Sequence, residues 1–281
     1  AARRSSRLIY CTPVAATVAG GSRVQVDTVY GGYAGCYNVG SVSSFLLALF
    51  DGNDDAVYTT SIGFGPIYEV MPKQQRTTEA FTTLFSFAAL LRPGLSSTEQ
   101  TFLDALLAAE NIETAGLDIW ASNQANIDVF PNNARDVLPL YIDYTADGST
   151  LMNVCTNNDL DSDADGNKPA EFRYLRITTG SSAAYDVTIV PNPVPPATND
   201  APDPHHPTLP RDRSDPDMYI YRFGEIVASG DSGVDDSEEF STKVLPAGVY
   251  VADIQDWRYA DPAASSDYPD QICFDVTMTA K

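Results

Sequence analysis

The apolar residues of this chain change their spacing near Val137. Through the middle of the chain they recur at the helical period; after Val137 they alternate, as strands do. A segment patterned for one element does not settle as the other, so the switch divides the chain into a helical part and a sheet part. Upstream, "SVSSFLLALFDG" (Ser41–Gly52) opens on Ser and stops on Gly, the punctuation of a helix. "TTEAFTTLFSFAALLRPG" sets Phe81, Leu84, Phe85, Ala88 and Leu91 on one face and ends at Pro93-Gly94. "SSTEQTFLDALLAAENI" begins with Ser96-x-x-Glu99, a capping box, ahead of a stripe of Phe102, Leu103, Leu106 and Leu107. These stripes are expected to be core.

Downstream, "LPLYIDYT", "EFRYLRITT", "AAYDVTIVP", "DMYIYRFG", "GEIVASG", "STKVLPAGVYVADIQDW" and "QICFDVTMTA" read as strands with turn residues between them. Short strands at this spacing predict an antiparallel β-sandwich. Pro191–Asp217 is too proline-rich for either element and is expected to be a long loop inserted between two strands. At the other end, "TPVAATVAGGSRVQVDTVY" alternates around Gly20-Gly21-Ser22, which predicts a hairpin or two short strands. The fold class is therefore α+β: a β-like arm over 1–35, a small α-helical subdomain over 36–136, and a C-terminal antiparallel sandwich over 137–281.

Charge narrows the partners. The chain carries 38 acidic and 17 basic residues, a net charge of −21. Such a surface repels phosphate backbones, which excludes nucleic acid, and it suits a soluble extracellular protein or one that binds hard cations. The arm is the exception. Residues 1–26 hold Arg3, Arg4, Arg7 and Arg23 and no acid, so the rest of the chain carries −25. A basic arm is expected to clasp an acidic body, its own or a neighbouring copy's. With 43% hydrophobic residues the chain can build a packed core, yet no apolar run approaches the length of a membrane span. It opens on Ala1 rather than Met, which is read as a mature product whose targeting segment has been removed.

The four cysteines, Cys11, Cys36, Cys155 and Cys273, are even in number and sparse, as disulfides in an oxidising compartment would be. They fall into an N-terminal and a C-terminal pair, so Cys11–Cys36 and Cys155–Cys273 is the simplest pairing. Zinc is disfavoured, because there is no CxxC and the two histidines, His205 and His206, are adjacent. The same shortage removes catalytic signatures. Zinc peptidases need HExxH, and serine hydrolases need a placed histidine and often a GxSxG elbow; neither occurs. No enzymatic activity is expected.

Calcium is the cofactor the sequence points to. In "DLDSDADGN", Asp161, Asp163, Asp165 and Asn167 supply oxygens at alternate positions around Gly166. An EF-hand would need Glu at its twelfth position, where Phe172 stands, and Pro169 occupies the ninth. Any calcium site is therefore a loop site, and a solvated acidic turn is the alternative. "DSGVDDSEE" (Asp231–Glu239) reads as an acidic hairpin tip.

Several ordered segments carry a resemblance. "GSVSSFLLALFDGNDD", "SIGFGPIYEVMPKQQRTTEAFTTLFSFAALLR", "FLDALLAAENIETAGLDIW" and "VLPLYIDY" resemble the C-terminal part of secreted bacterial thermolysin-like (gluzincin) metallopeptidases. "DPDMYIYRFGEIVASG", "LPAGVYVADIQDW" and "ICFDVTMT" resemble the pre-peptidase C-terminal domain, a small β-sandwich appended to such enzymes. The placing of Cys155 and Cys273 matches cysteines that flank the sandwich in that family, which supports their pairing. The zinc-binding region is missing, and "GCYNVGSV" stands where the family has a "WYSEGS"-type segment, with Cys36 for the aromatic and Val39 for the acid. No zinc ligand carries over. The resemblance implies a non-catalytic extracellular structural or binding protein, a pseudoenzyme on a peptidase scaffold. Through its arm it would assemble with itself into an oligomer or filament, or hold another extracellular protein or surface. The alternative is a processed C-terminal recognition piece of a metallopeptidase-like precursor.

Overall fold

A computed structural model describes residues 39–51, 60–124, 138–157, 172–192, 214–233, 237–257 and 271–281. They fall into two compact units, a helical one within 39–124 and a β-sandwich within 138–281.

Among the described residues the first unit has four α-helices: α1 Val39–Asp51, α2 Phe64–Glu69, α3 Leu84–Leu91 and α4 Ser97–Ala109. α1 buries Phe45 and Leu49, and the Leu49 carbonyl accepts from the Ile62 N–H at 2.9 Å and the Gly63 N–H at 3.3 Å. α2 starts at Gly63, whose φ of 73° favours glycine, and runs into a π-turn over Val70–Gln74. Pro72, which has no N–H to give, lies inside that turn and breaks the α-helical ladder.

α3 is shorter than its apolar stripe. Thr83 caps it, accepting from the Ser86 N–H at 3.1 Å while the Thr83 N–H donates to Ser86 Oγ at 2.9 Å, so Phe81 lies ahead of the helix although it is buried. α4 has the expected box: the Ser96 N–H donates to Glu99 Oε2 at 2.8 Å. Phe102, Leu103, Leu106 and Leu107 form its buried stripe. Arg92 holds Asp104 of α4 with two bonds, Nε to Oδ1 at 3.0 Å and Nη2 to Oδ2 at 2.9 Å.

The second unit stacks two sheets. The strands are β1 Tyr141–Thr145, β2 Thr150–Asn157, β3 Phe172–Thr179, β4 Tyr185–Asn192, β5 Pro216–Arg222, β6 Glu225–Gly230, β7 Glu238–Ser241, β8 Gly248–Asp256 and β9 Gln271–Ala280. One sheet runs β1-β3-β8-β5-β6 and the other β2-β9-β4-β7. Leu175 and Ile177 of β3, Met218 and Ile220 of β5, and Tyr250, Ala252 and Ile254 of β8 share one core with Val187 and Ile189 of β4 and Phe274, Val276 and Met278 of β9. The class is α+β, as the change of period predicts.

Several details depart from expectation. The sandwich is not wholly antiparallel: β1 and β3 pair in parallel. The intervening strand, β2, lies in the opposite sheet, so the chain crosses over and returns in its original direction. β2 itself is invisible to a period-two reading, because a bulge between Leu151 and Val154, with Asn153 at φ 60°, breaks its alternation. "STKVLPAGVYVADIQDW" holds parts of two strands in different sheets, β7 ending at Ser241 and β8 starting at Gly248, with a bridge from Leu245 to Ala183 between them. For the same reason Asp231–Glu239 is not a hairpin tip, since it links β6 of one sheet to β7 of the other.

The proline-rich stretch is shorter than 191–217. β4 continues to Asn192 and β5 begins at Pro216. Pro191 pairs with Phe274 of β9 beyond the last β7 partner, Ile189, so it sits where β4 has one neighbour and a missing N–H costs little.

Candidate functional site

Three places in the described residues gather exposed or perturbed side chains. The first is α2 and its π-turn. Ile67 and Val70 turn into the helical unit and are buried. Phe64, Tyr68 and Met71, spaced i, i+4 and i+7, are 60%, 52% and 43% exposed. The Phe64 and Tyr68 rings lie 5.5 Å apart. Glu69 and Lys73 form an exposed ion pair on the same segment. A large apolar side chain standing alone on a surface is ordinary, whereas several on one short segment are less so.

The second is the outer face of the five-stranded sheet. Tyr219 and Tyr174 both stand opposite Asp253, and Asp217 opposite Gln255. Gln255 Nε2 donates to Asp217 Oδ2 at 3.2 Å, and the Tyr221 hydroxyl donates to Asp253 Oδ2 at 3.1 Å. Burial pushes the Asp217 carboxyl up to about 6; the charges of Asp215, Asp231 and Glu238 add to this, and the bond from Gln255 opposes it. A carboxyl that titrates there could serve as a general acid. Asp217, Tyr221, Asp253 and Gln255 are all buried, however, which turns the group toward the sheet's own hydrogen bonding rather than a substrate.

The third is the outer face of the four-stranded sheet. Cys155 and Cys273 stand directly opposite each other in the β2–β9 register, 3.9 Å apart at Cα, and are joined as a disulfide. Beside them the Asn153 N–H donates to Asp275 Oδ1 at 3.1 Å, and Thr150 and Thr277 share a hydroxyl bond of 2.9 Å. This face is solvated and polar, apart from exposed Met152 and Val190.

Of the residues the sequence singles out, the structure thus places Cys155 and Cys273. Asp161, Asp163, Asp165 and Asn167, Cys11 and Cys36, and Arg3, Arg4, Arg7 and Arg23 lie outside the described residues. Among the described residues, no cluster of His, Cys, Asp and Glu is arranged to hold a metal, and no helix is long and apolar enough to cross a membrane. Sequence reasoning passes over the Phe64–Met71 stripe, treating the whole of 61–92 as scaffold. The i, i+4, i+7 spacing is visible in the sequence, but it does not say that this side is exposed.

No protein-family model matches the chain, and no curated protein matches it. The solved structures to which about half of the chain is similar include two whose alignments follow. The pre-peptidase C-terminal domain of a collagenase from Bacillus anthracis aligns at a TM-score of 0.30 and 6% identity, covering 50% of this chain and 96% of that domain. PliG from Aeromonas hydrophila, a periplasmic inhibitor of g-type lysozyme, aligns at a TM-score of 0.27 and 9% identity, covering 50% of this chain and all of the inhibitor. Likenesses this slight leave the fold to be argued from the strands themselves.

Proposed function

We propose that this chain is a non-catalytic extracellular binding or structural protein that assembles with further copies of itself. The observation that carries the reading is the exposed Phe64–Tyr68–Met71 stripe on a chain of net charge −21. So acidic a surface has no difficulty staying solvated, and three large apolar groups left in water on one helix face are best accounted for by a partner.

The basic arm over 1–35 supplies the second half of the reading. Arg3, Arg4, Arg7 and Arg23 would engage the acidic body of a neighbouring copy. Such a contact joins two different patches, so it propagates as a chain or filament if it does not close into a ring. Calcium at Asp161, Asp163, Asp165 and Asn167 belongs to the same proposal, as do the extracellular setting and the Cys11–Cys36 bond.

Light scattering of the purified chain over a concentration series tests the assembly. Mass should rise with concentration, and replacing the four arm arginines by Ser should lower it. A single monomeric mass at every concentration would refute self-assembly. Chelator-sensitive cleavage of casein by the pure protein would refute the absence of catalysis.

A further inference from the structure

We infer that the tip of the β5–β6 hairpin, Arg222–Phe223–Gly224, is a binding site for a carboxylate carried on an apolar group. The inference is independent of self-assembly, and neither falls with the other. Arg222 and Glu225 stand opposite each other in the register, so the loop between them is two residues long, with Phe223 at φ 50° and Gly224 at φ 74°. A two-residue loop with both centres at positive φ is the kind that Asn-Gly fills best, because Asn tolerates that region and a bulky side chain does not. Phe223 takes the strained position and is 44% exposed. Burial therefore does little to offset the strain, and an outlier of this kind points to use of the residue by a ligand.

Arg222 gives that ligand its charge. The guanidinium lies 5.1 Å from the centre of the Tyr250 ring and 5.5 Å from that of Phe223, and Nη1 donates to the Tyr250 hydroxyl at 3.2 Å. Tyr250 is buried and its hydroxyl donates to the Pro246 carbonyl at 2.6 Å, so the guanidinium is held in one place. Among the described residues no carboxylate takes it, although the chain carries 38 acids. Nε is shut off from water with no acceptor, and Nη2 donates to nothing among the described residues. Gly248 leaves Nη2 room, since a Cβ there would stand 3.0 Å from it. A guanidinium fixed by rings and short of acceptors is prepared for an anion.

Surroundings select the class of anion. The planar fork of an arginine matches carboxylates and phosphates alike. A chain of net charge −21 repels multiply charged anions more than singly charged ones, and Glu225 stands opposite Arg222 in the register. A carboxylate is therefore favoured over a phosphate. The exposed Phe223 ring beside the guanidinium offers apolar contact to the group that bears the carboxylate. A peptide C-terminus and a free organic acid share this chemistry.

The test uses the full chain, with binding read from the relaxation of the ligand's own NMR signals. N-acetylphenylalanine, a carboxylate beside a benzyl group, should bind saturably, and its neutral amide about tenfold more weakly. Arg222→Gln, its fold checked by melting, should weaken the acid about tenfold and leave the amide unchanged. Phe223→Asn should also weaken the acid, with melting unchanged or raised, because Asn suits the turn. Inorganic phosphate should not displace the acid. A second acid, 3-phenylpropionate, separates the two sources. Binding as tight as that of N-acetylphenylalanine assigns an organic acid, and weaker binding a peptide terminus; both results support the site. The inference is overturned if the acid and its amide bind alike, if phosphate displaces the acid, or if both variants bind as the unaltered chain does. Absence of any binding by the acid below about 10 mM overturns it as well.

Discussion

Asp217 holds its proton up to about pH 6, because the folded sheet withdraws its carboxyl from water and leaves one side-chain bond, from Gln255, as compensation. The sign of the consequence follows by linkage. The folded state binds this proton more tightly than the unfolded chain does, so the group's contribution is fully present below the ordinary carboxylate value. It is lost as the pH rises through about 6. Asp217→Asn should therefore raise the melting temperature at pH 7.5 and leave it nearly unchanged at pH 4. An equal effect at both values would show that ionisation is not the cause. Gly230 gives a steric counterpart. A Cβ there would lie 2.3 Å from Phe240 Cδ1 and 2.7 Å from Glu238 Cγ, where the end of β6 passes β7. Phe240 packs against the core and Glu238 is buried, accepting from the Ser232 N–H at 3.0 Å, so neither can move freely. Gly230→Ala should cost roughly 1–3 kcal/mol in denaturant unfolding, as overpacking does.

Elements were legible where local chemistry and tertiary packing agree. The Ser96–Glu99 box and the Phe102–Leu107 stripe fix α4 in sequence because the cap and the buried face are both local. β2 was not legible, since its bulge removes the alternation that a strand is read by. The β7–β8 run hides a change of sheet, because leaving one sheet for the other depends on the partners of each half and not on the half itself. α2 failed for another reason. Phe64, Ile67, Tyr68, Val70 and Met71 make it apolar on two sides, and periodicity cannot say which side is buried. What holds β2 in place is testable. The Cys155–Cys273 bond spans 118 residues of sequence, and closing so long a loop is worth about 4–5 kcal/mol in the idealised chain-entropy treatment. Replacing both cysteines by Ser should lower stability by roughly 2–5 kcal/mol in denaturant unfolding under oxidising conditions. An unchanged midpoint would mean that the β2–β9 pairing needs no tether.

At the scale of the molecule, the balance of charge decides what the parts can do. Residues 1–26 carry +4 and the rest of the chain −25, so the proposed clasp would join opposite charges. If Asp161, Asp163, Asp165 and Asn167 hold calcium, a chelator should lower the melting temperature and added calcium restore it. Melting that ignores both would leave this stretch a solvated turn. The N-terminal arm is read from its alternation and charge and the acidic loop from its ligand spacing, and the described residues do not include them. The candidate contact surface came from structure alone, through exposure. Its most direct test is hydroxyl-radical footprinting of the full chain across a dilution series. Met152, 61% exposed on the sandwich, serves as the internal reference. Self-association through the α2 stripe predicts that Met71 oxidises readily when dilute and becomes protected as concentration rises, while Met152 does not change. Met71 oxidising equally at every concentration would contradict it.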